Sequence, residues 1–233
     1  MTTTAIVTGA GTGFGLALTR ALAGRGATVI AGARDAARLR AAVADLPGVR
    51  PVPGDVNHPA TRAALVAAAG ERVDLLVHNA GELGPSPLPP LRAYPADALR
   101  AVLETTLLAP LQLTRLALPA LRAARGIVVT LSSDAAVEAY PGWGGYGAAK
   151  AALDHYAAVL GVEEPDLAVY AFDPGDMRTA MHQRAFPGED ISDRPEPGTV
   201  VPALLRLLDR PLPSGRHRAA DLAADPTTAG SPR

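Results

Sequence analysis

The chain has 233 residues, 22 basic and 23 acidic side chains, and a formal net charge of −1, a balance that gives no electrostatic footprint for nucleic acid or an anionic membrane surface. Cysteine is absent, which excludes disulfides, thiolate metal sites and a thiol nucleophile and fits a reducing, cytoplasmic location. Aromatic residues make up only 4%, so the core must be built from Ala, Leu and Val, and the length suits one α/β domain. No apolar run is long enough to span a bilayer. Met1-Thr2-Thr3-Thr4 leads straight into an apolar stretch, with no charged leader region of the secretory kind.

Ala5-Ile6-Val7 reads as a short strand that ends in Thr8-Gly9-Ala10-Gly11-Thr12-Gly13-Phe14-Gly15, and a helical run from Leu16 to Ala23 follows. Glycines between a strand and a helix are what a dinucleotide-binding turn requires. They let the backbone approach a pyrophosphate, and the helix N-terminus offers unpaired N–H groups and a partial positive charge. Ala27–Ala31 reads as a second strand, ending in Gly32-Ala33-Arg34-Asp35. A strand end about 20 residues past the glycines is where an adenosine ribose is read. An acidic residue there would take the 2′-hydroxyl of NAD, whereas Arg34 suits the 2′-phosphate of NADP. A plain surface arginine is the other reading of Arg34, with Asp35 as cap of the next helix, and both can hold at once.

Residues 36–46 read as helical, Val49–Val52 as a strand and residues 60–70 as an alanine-rich helix. Asp55 and Val56 lie between the last two, close to where an adenine edge would sit. Asp55 reads equally as the N-cap of the helix from Pro59. Val73–Val77 is a fourth strand running into His78-Asn79-Ala80-Gly81. The amide and small residues of Asn79-Ala80-Gly81 suit a turn closing over a cofactor, and turn chemistry alone also accounts for them. A proline-rich loop runs from Glu82 to Pro95. Helical periodicity then extends from Ala96 to Arg122, where Pro110 and Pro119 should bend or end parts of it. Gly126–Leu131 is a fifth strand, with Ser132-Ser133 at its C-terminal end, the side on which open α/β sheets bind ligands.

The stretch Gly142-Trp143-Gly144-Gly145-Tyr146-Gly147-Ala148-Ala149-Lys150 holds the only lysine of the chain; every other basic residue is arginine. A compact ammonium on a flexible stem can act where a planar guanidinium cannot. In a helix over 144–161, Tyr146 and Lys150 lie one turn apart on one face. A cation there would lower the phenol from its usual pKa of about 10 and equip it to pass a proton near neutral pH. A solvated lysine beside a packed tyrosine is the bland alternative. Leu167–Phe172 is a sixth strand, ending in Asp173-Pro174-Gly175. From Asp176 to Pro197 there is little periodicity, as in a mobile cover over a site or an ordinary surface loop. Residues 199–209 are helical, Gly215–Arg218 reads as a last edge strand, and Asp221–Arg233 as a flexible tail. His58, His155, His182 and His217 show no metal-ligand spacing, so no metal is expected.

Strands alternate with helices from end to end, which argues for one parallel, doubly wound sheet. Together these motifs resemble the short-chain dehydrogenase/reductase family over roughly residues 4–220. Thr8-Gly9-x-x-x-Gly13-x-Gly15 is similar to that family's cofactor turn, Asp55 to its adenine-side aspartate, and Asn79-Ala80-Gly81 to its strand-four motif. Ser133 precedes Tyr146 by the family's spacing, Tyr146-x-x-x-Lys150 is its signature pair, and Pro174-Gly175 with Thr179 resembles the segment at the nicotinamide end. The resemblance implies a single Rossmann-like domain over residues 1–220, with about seven strands flanked by helices on both faces and a lid at 176–197. It implies cofactor contacts from Gly9, Thr12, Gly13, Phe14, Gly15, Arg34, Asp55, Val56, Asn79, Ala80, Gly81, Tyr146, Lys150, Pro174, Gly175 and Thr179. Tyr146 would be the general acid or base, and Lys150 would hold the nicotinamide ribose and lower the phenol's pKa. Ser133 would hydrogen-bond the substrate carbonyl oxygen. Substrate contacts are expected from Asp134–Trp143 and Met177–Phe186, with Trp143 and Met177 as pocket wall or as plain packing.

The chain departs from the family pattern in three places. Thr106 stands where an asparagine helps hold a proton-relaying water, Thr12 where NADP-binding members often have a basic residue, and His78 where an asparagine is common. A shorter Thr106 predicts a weaker relay, and His78 is expected as a polar wall of the cofactor pocket. The expectation is an NADP(H)-preferring carbonyl reductase or alcohol dehydrogenase, able to take NAD(H), acting on a small carbonyl or alcohol as a homodimer or homotetramer. A non-catalytic cofactor-binding sensor or assembly protein that keeps the fold is the competing reading. Thr106 favours it, and the intact Ser133, Tyr146 and Lys150 oppose it. An isomerase or dehydratase that uses a bound nicotinamide transiently is the third.

Overall fold

The structure, a computed structural model, describes residues 3–223. Seven strands pair in parallel in the order β3-β2-β1-β4-β5-β6-β7. They are β1 (Thr4–Thr8), β2 (Thr28–Ala33), β3 (Val49–Pro53), β4 (Leu75–His78), β5 (Ile127–Leu131), β6 (Ala168–Asp173) and β7 (Gly215–Arg218). The central strands are apolar runs because a parallel sheet covered by helices buries both faces. Successive side chains therefore go to opposite layers. Val7, Val77, Tyr170 and Phe172 join one core with α1 (Gly13–Gly24), α2 (Ala36–Val43) and α8 (Pro197–Asp209). Ile6, Leu76, Val128 and Ala171 join the other with α3 (Pro59–Ala69), α5 (Ala109–Ala124) and α6 (Gly144–Glu163). This is a Rossmann-like, doubly wound arrangement.

The chain builds β1, β2 and β3 outward and then crosses back, so that β4 pairs with the other side of β1. The order reverses between β1 and β4, and the loops leaving these two strands diverge to open a crevice at their C-terminal ends. One side chain buckles the two together. Asn79 Nδ2 donates to the carbonyls of Thr8 (2.9 Å) and Gly9 (3.2 Å). Thr8 Oγ1 returns a bond to the Val77 carbonyl at 3.2 Å and accepts from the N–H groups of Asn79 and Ala80, each at 3.1 Å.

The helical run expected over Ala96–Arg122 is divided. It comprises α4 (Ala96–Leu103), a π-helical turn over Glu104–Leu108 that contains Thr106, and α5. Pro110 falls in the first turn of α5, directly after the π-helical turn, and Pro119 lies inside the helix. The segment 176–197 holds a short helix, α7 (Ala180–Ala185), capped by Thr179 Oγ1 accepting from His182 N–H at 3.1 Å. Asp35 caps α2 as expected, accepting from Arg38 N–H at 2.9 Å. Asp55 does not cap α3; the cap position is His58, and Asp55 instead accepts from Asn57 N–H at 2.9 Å in a local turn. Asp221–Ala223, expected to open the tail, close α9 (Ala219–Ala223); the rest of the expected tail lies outside the described residues. Among the described residues no helix is long and apolar enough to cross a membrane.

Candidate active site

The crevice between the β1 and β4 loops is a cleft of about 1140 Å³. Gly9, Thr12, Gly13, Phe14, Arg34, Asp55, Val56, Asn79, Ala80, Gly81 and Thr179 line it, together with Met177. Gly15 stands behind that lining, and Pro174-Gly175 carries the chain from β6 toward Met177. The residues fit a dinucleotide. α1 begins at Gly13 with no side-chain cap and no acidic residue in its first turn, which leaves its first N–H groups to an anion. Gly9 has φ +67°, and a Cβ there would stand 2.6 Å from Asn79 Nδ2. A Cβ on Gly15 would overlap the same amide. The glycines thus serve the Asn79 buckle as well as phosphate approach. Gly9→Ala should lower stability by about 1–3 kcal/mol and weaken dinucleotide binding, read by a urea melt and a cofactor titration.

Arg34 leaves the end of β2 with its side chain 65% exposed and points across the cleft, its Nη2 3.9 Å from Glu82 Oε2. An exposed pair of this kind contributes little to stability, so the guanidinium is available to a stronger anion. Arg184 of α7 reaches the same carboxylate at 3.4 Å and donates to the Gly84 carbonyl at 2.8 Å. Ser86 Oγ donates to the Arg184 carbonyl at 2.6 Å. α7 is thereby held down on the loop after β4.

The cleft lining ends at Gly81, Glu82 and Met181. Just beyond it lie Ser133, Tyr146 and Lys150. α6 carries the last two one turn apart, and the start of this helix is glycine-rich because neighbours press on it. A Cβ on Gly147 would meet the Ala135 carbonyl at 2.6 Å. Tyr146 is 8% exposed and shares a cluster with Leu83 and Ala135, against which Trp143, Met181 and Ala185 pack. Trp143 meets it edge-on at 5.6 Å and also approaches Phe186 at 5.9 Å. Ser133 Oγ donates to Asp134 Oδ1 at 2.9 Å and accepts from Ala135 N–H at 3.2 Å, with the Tyr146 phenol against it. Lys150 Nζ stands 5.5 Å from the centre of the Tyr146 ring and donates to the Leu131 carbonyl.

The expected lowering of the phenol by Lys150 is not what this arrangement produces. Burial pushes Tyr146 well above its ordinary value, the charges of Asp134 and Asp173 push the same way, and only the Ser133 hydroxyl opposes them. Lys150 is itself lowered from 10.5 to about 8 by burial, with Asp154 and Asp173 pulling it back up. The unfolded chain therefore binds more protons than the native state between pH 8 and 10.5, and stability rises with pH across that window. Lys150→Met removes this contribution. Its unfolding free energy should exceed that of the parent at pH 7.5 by an amount on the order of 3 kcal/mol, and urea melts up to pH 10 should show the gap closing.

One other expectation changes. His78 is no wall of the cleft: the alternation of β4 turns it toward α5, where Nε2 meets Thr114 Oγ1 at 2.7 Å, and burial lowers it to about 3. Met177, expected as pocket wall or plain packing, lines the cleft and also packs against the core that holds Phe14 and Phe172, while Met181 packs against the cluster that holds Tyr146. Thr106 is fully buried and accepts from Glu82 N–H at 3.4 Å, and among the described residues no hydrogen bond joins it to Lys150. Glu82, Asp154, Asp173, Met181 and Arg216 were not singled out from the sequence. Only Asp154, one helical turn past Lys150, had a readable signal. Among the described residues no His, Asp and Glu cluster could hold a metal.

A doubly wound sheet with a glycine-turn cleft at its switch point and a serine, tyrosine and lysine grouped at the cleft's end defines an NAD(P)-dependent oxidoreductase. The family model described as short chain dehydrogenase matches residues 3–190, and the chain belongs to that family. It is 32% identical to L-fucose dehydrogenase of Bos taurus over 84% of this chain and 72% of that one. It is 35% identical to an uncharacterized oxidoreductase of Saccharomyces cerevisiae over 56% of this chain, and this match spans about half, 52%, of the yeast protein. A short-chain dehydrogenase from Shigella flexneri, solved in complex with NADP, superposes with a TM-score of 0.85 at 28% identity, over 94% of this chain and 97% of that one.

Proposed function

We propose that the protein is an NADP(H)-preferring carbonyl reductase or alcohol dehydrogenase in which Tyr146 exchanges the proton. The observation that carries this reading is the buried Tyr146 phenol, with the Ser133 hydroxyl against it and the Lys150 ammonium 5.5 Å from its ring, at the end of a cleft built for a dinucleotide. When bound there, the nicotinamide cofactor exchanges hydride with the substrate carbon. Gly9, Gly13, Asn79 and the start of α1 would hold its phosphates, and Arg34 the 2′-phosphate. Asp35 is occupied as the cap of α2, which turns its charge toward that helix and leaves Arg34 as the nearer group. The Shigella relative was solved with NADP, in keeping with this preference, and NAD(H) remains the lesser cofactor.

A carbonyl oxygen that reaches Ser133 would take the hydrogen bond that Ser133 now gives to Asp134. Negative charge develops on that oxygen as reduction proceeds, and a positioned donor stabilises it. Tyr146, raised by burial, holds its proton at neutral pH and acts as general acid in reduction. In oxidation the same side chain must accept the proton as its phenolate, a charged form that the Ser133 hydroxyl favours. α7 is the lid of this reading. Met181 and Ala185 pack against the cluster that holds Tyr146 and Arg184 holds the helix down, so substrate would enter when α7 lifts. Leu108, Leu111 and Leu116 around α5 and Val159 and Val162 on α6 are exposed apolar side chains that support assembly as a homodimer or homotetramer.

A panel of ketones and aldehydes assayed with NADPH and NADH side by side tests the activity. Tyr146→Phe should lower turnover by about 10²- to 10⁴-fold while NADPH still binds, and full turnover would remove Tyr146 from the mechanism. Arg34→Ala should weaken NADPH binding by about ten- to a hundredfold and leave NADH nearly unchanged. Equal losses in the two titrations would show that Arg34 does not read the phosphate.

A further inference from the structure

β7 is the short edge strand of the sheet, and its second residue reaches under the reactive end of α6. The register sets Arg216 beside Ala171 of β6, on the face that carries α6 and two residues short of Asp173. Its guanidinium has four partners. Nη2 donates to Asp173 Oδ2 at 2.7 Å and to the Ser133 carbonyl at 3.1 Å. Nε lies 3.3 Å from Asp154 Oδ2 and donates to Ser132 Oγ at 3.4 Å. Ser132 Oγ in turn donates to Asp154 Oδ2 at 2.6 Å, and Asp173 Oδ1 accepts from Gly175 N–H at 2.9 Å. One side chain thus ties together the Ser132-Ser133 end of β5, the Asp173-Pro174-Gly175 turn and the turn of α6 that bears Lys150.

The charges around Lys150 come from three elements. Asp154 faces it from α6 and Asp173 from β6, and Arg216 of β7 stands across both carboxylates. The Tyr146 phenol lies on the remaining side, itself under the influence of Asp134. The side chains of Asp154 and Asp173 are 13% and 5% exposed, and carboxylates this buried are costly without a partner. Lys150 alone has one ammonium for two of them. The planar fork of an arginine can meet two acceptors and a peptide carbonyl together, which a lysine cannot.

We propose that Arg216 is a positioning residue of the active site: it holds the Ser133 peptide in place and shares Asp154 and Asp173 with Lys150. The proposal rests on the reading of Ser133, Tyr146 and Lys150 as the reacting set. Without the fork, the Ser133 carbonyl loses its donor and both carboxylates turn to Lys150 alone. The ammonium then keeps its proton to higher pH.

The single lysine of the chain makes this directly measurable. Protein labelled with ¹³C at the lysine ε-carbon gives one side-chain signal, and its titration reads Lys150 without any turnover. Arg216→Met and Arg216→Gln should each move the midpoint up by about one pH unit, and Asp154→Asn should move it down. Arg216→Gln keeps an amide donor for the Ser133 carbonyl, so it should recover part of the turnover that Arg216→Met loses, a loss of about ten- to a hundredfold. NADPH affinity should stay within about twofold, since no cofactor contact is removed. Thermal melts establish which variants are folded, and Arg216→Gln is the milder change should Arg216→Met fail. An unmoved midpoint in either folded variant, or equal turnover in Met and Gln variants, overturns the proposal. If the parent protein reduces no carbonyl in the panel, the proposed activity fails, while the titration still decides the role of Arg216.

Discussion

The Lys150 ammonium, 5% exposed, is the charge around which the C-terminal edge of the sheet is arranged. A cation in that position must be met by acceptors, or burial drives off its proton. The Leu131 carbonyl, Asp154 and Asp173 meet it. Those carboxylates in turn need a second cation, and Arg216 supplies it from the edge strand. Each answer brings a further backbone stretch into place: the end of β5 that bears Ser133, the turn after β6, and β7 itself. The last strand belongs to the chemistry although it touches neither Tyr146 nor the cleft.

The same burial decides the state of Tyr146. A phenol packed under Leu83, Trp143, Met181 and Ala185 is far from water, and its charged form is disfavoured more strongly than a cation at ring distance favours it. A tyrosine in this setting is a proton donor first. α7 lies against the same cluster through Met181 and Ala185 and is held by Arg184 on the loop after β4. Glu82 stands between that latch and Arg34, facing both guanidinium groups, so the two ends of the cleft share one carboxylate.

The alternation of strands and helices and the glycine turn were legible in the sequence because both are local. Apolar runs bounded by glycine and alternating with helical periodicity imply a parallel sheet. A glycine cluster between strand and helix implies an anion site, and a lone lysine one turn past a tyrosine stands out in a chain that otherwise uses arginine. The division of the long helix at Glu104–Leu108 left no trace in its periodicity, since a π turn shifts the register without changing composition. His78 was misplaced for a related reason. Its position along the chain was right, and which layer its side chain entered depended on strand alternation.

The sequence by itself determined the family and the doubly wound architecture, and it singled out the glycine turn, Asn79, Ser133, Tyr146 and Lys150, which the fold gathers at the C-terminal ends of the strands. These follow from residue type and spacing within short windows. Only the tertiary structure decided how their charges are balanced. Arg216 lies far along the chain from Ser133, Asp154 and Asp173, and Glu82 is as remote from Arg34 and Arg184. Pairings of that kind are made by strand register and helix packing, which bring distant segments together at the sheet's edge. The protonation of Lys150 and Tyr146 likewise depends on how deeply the fold buries them, and depth exists only once the layers have closed.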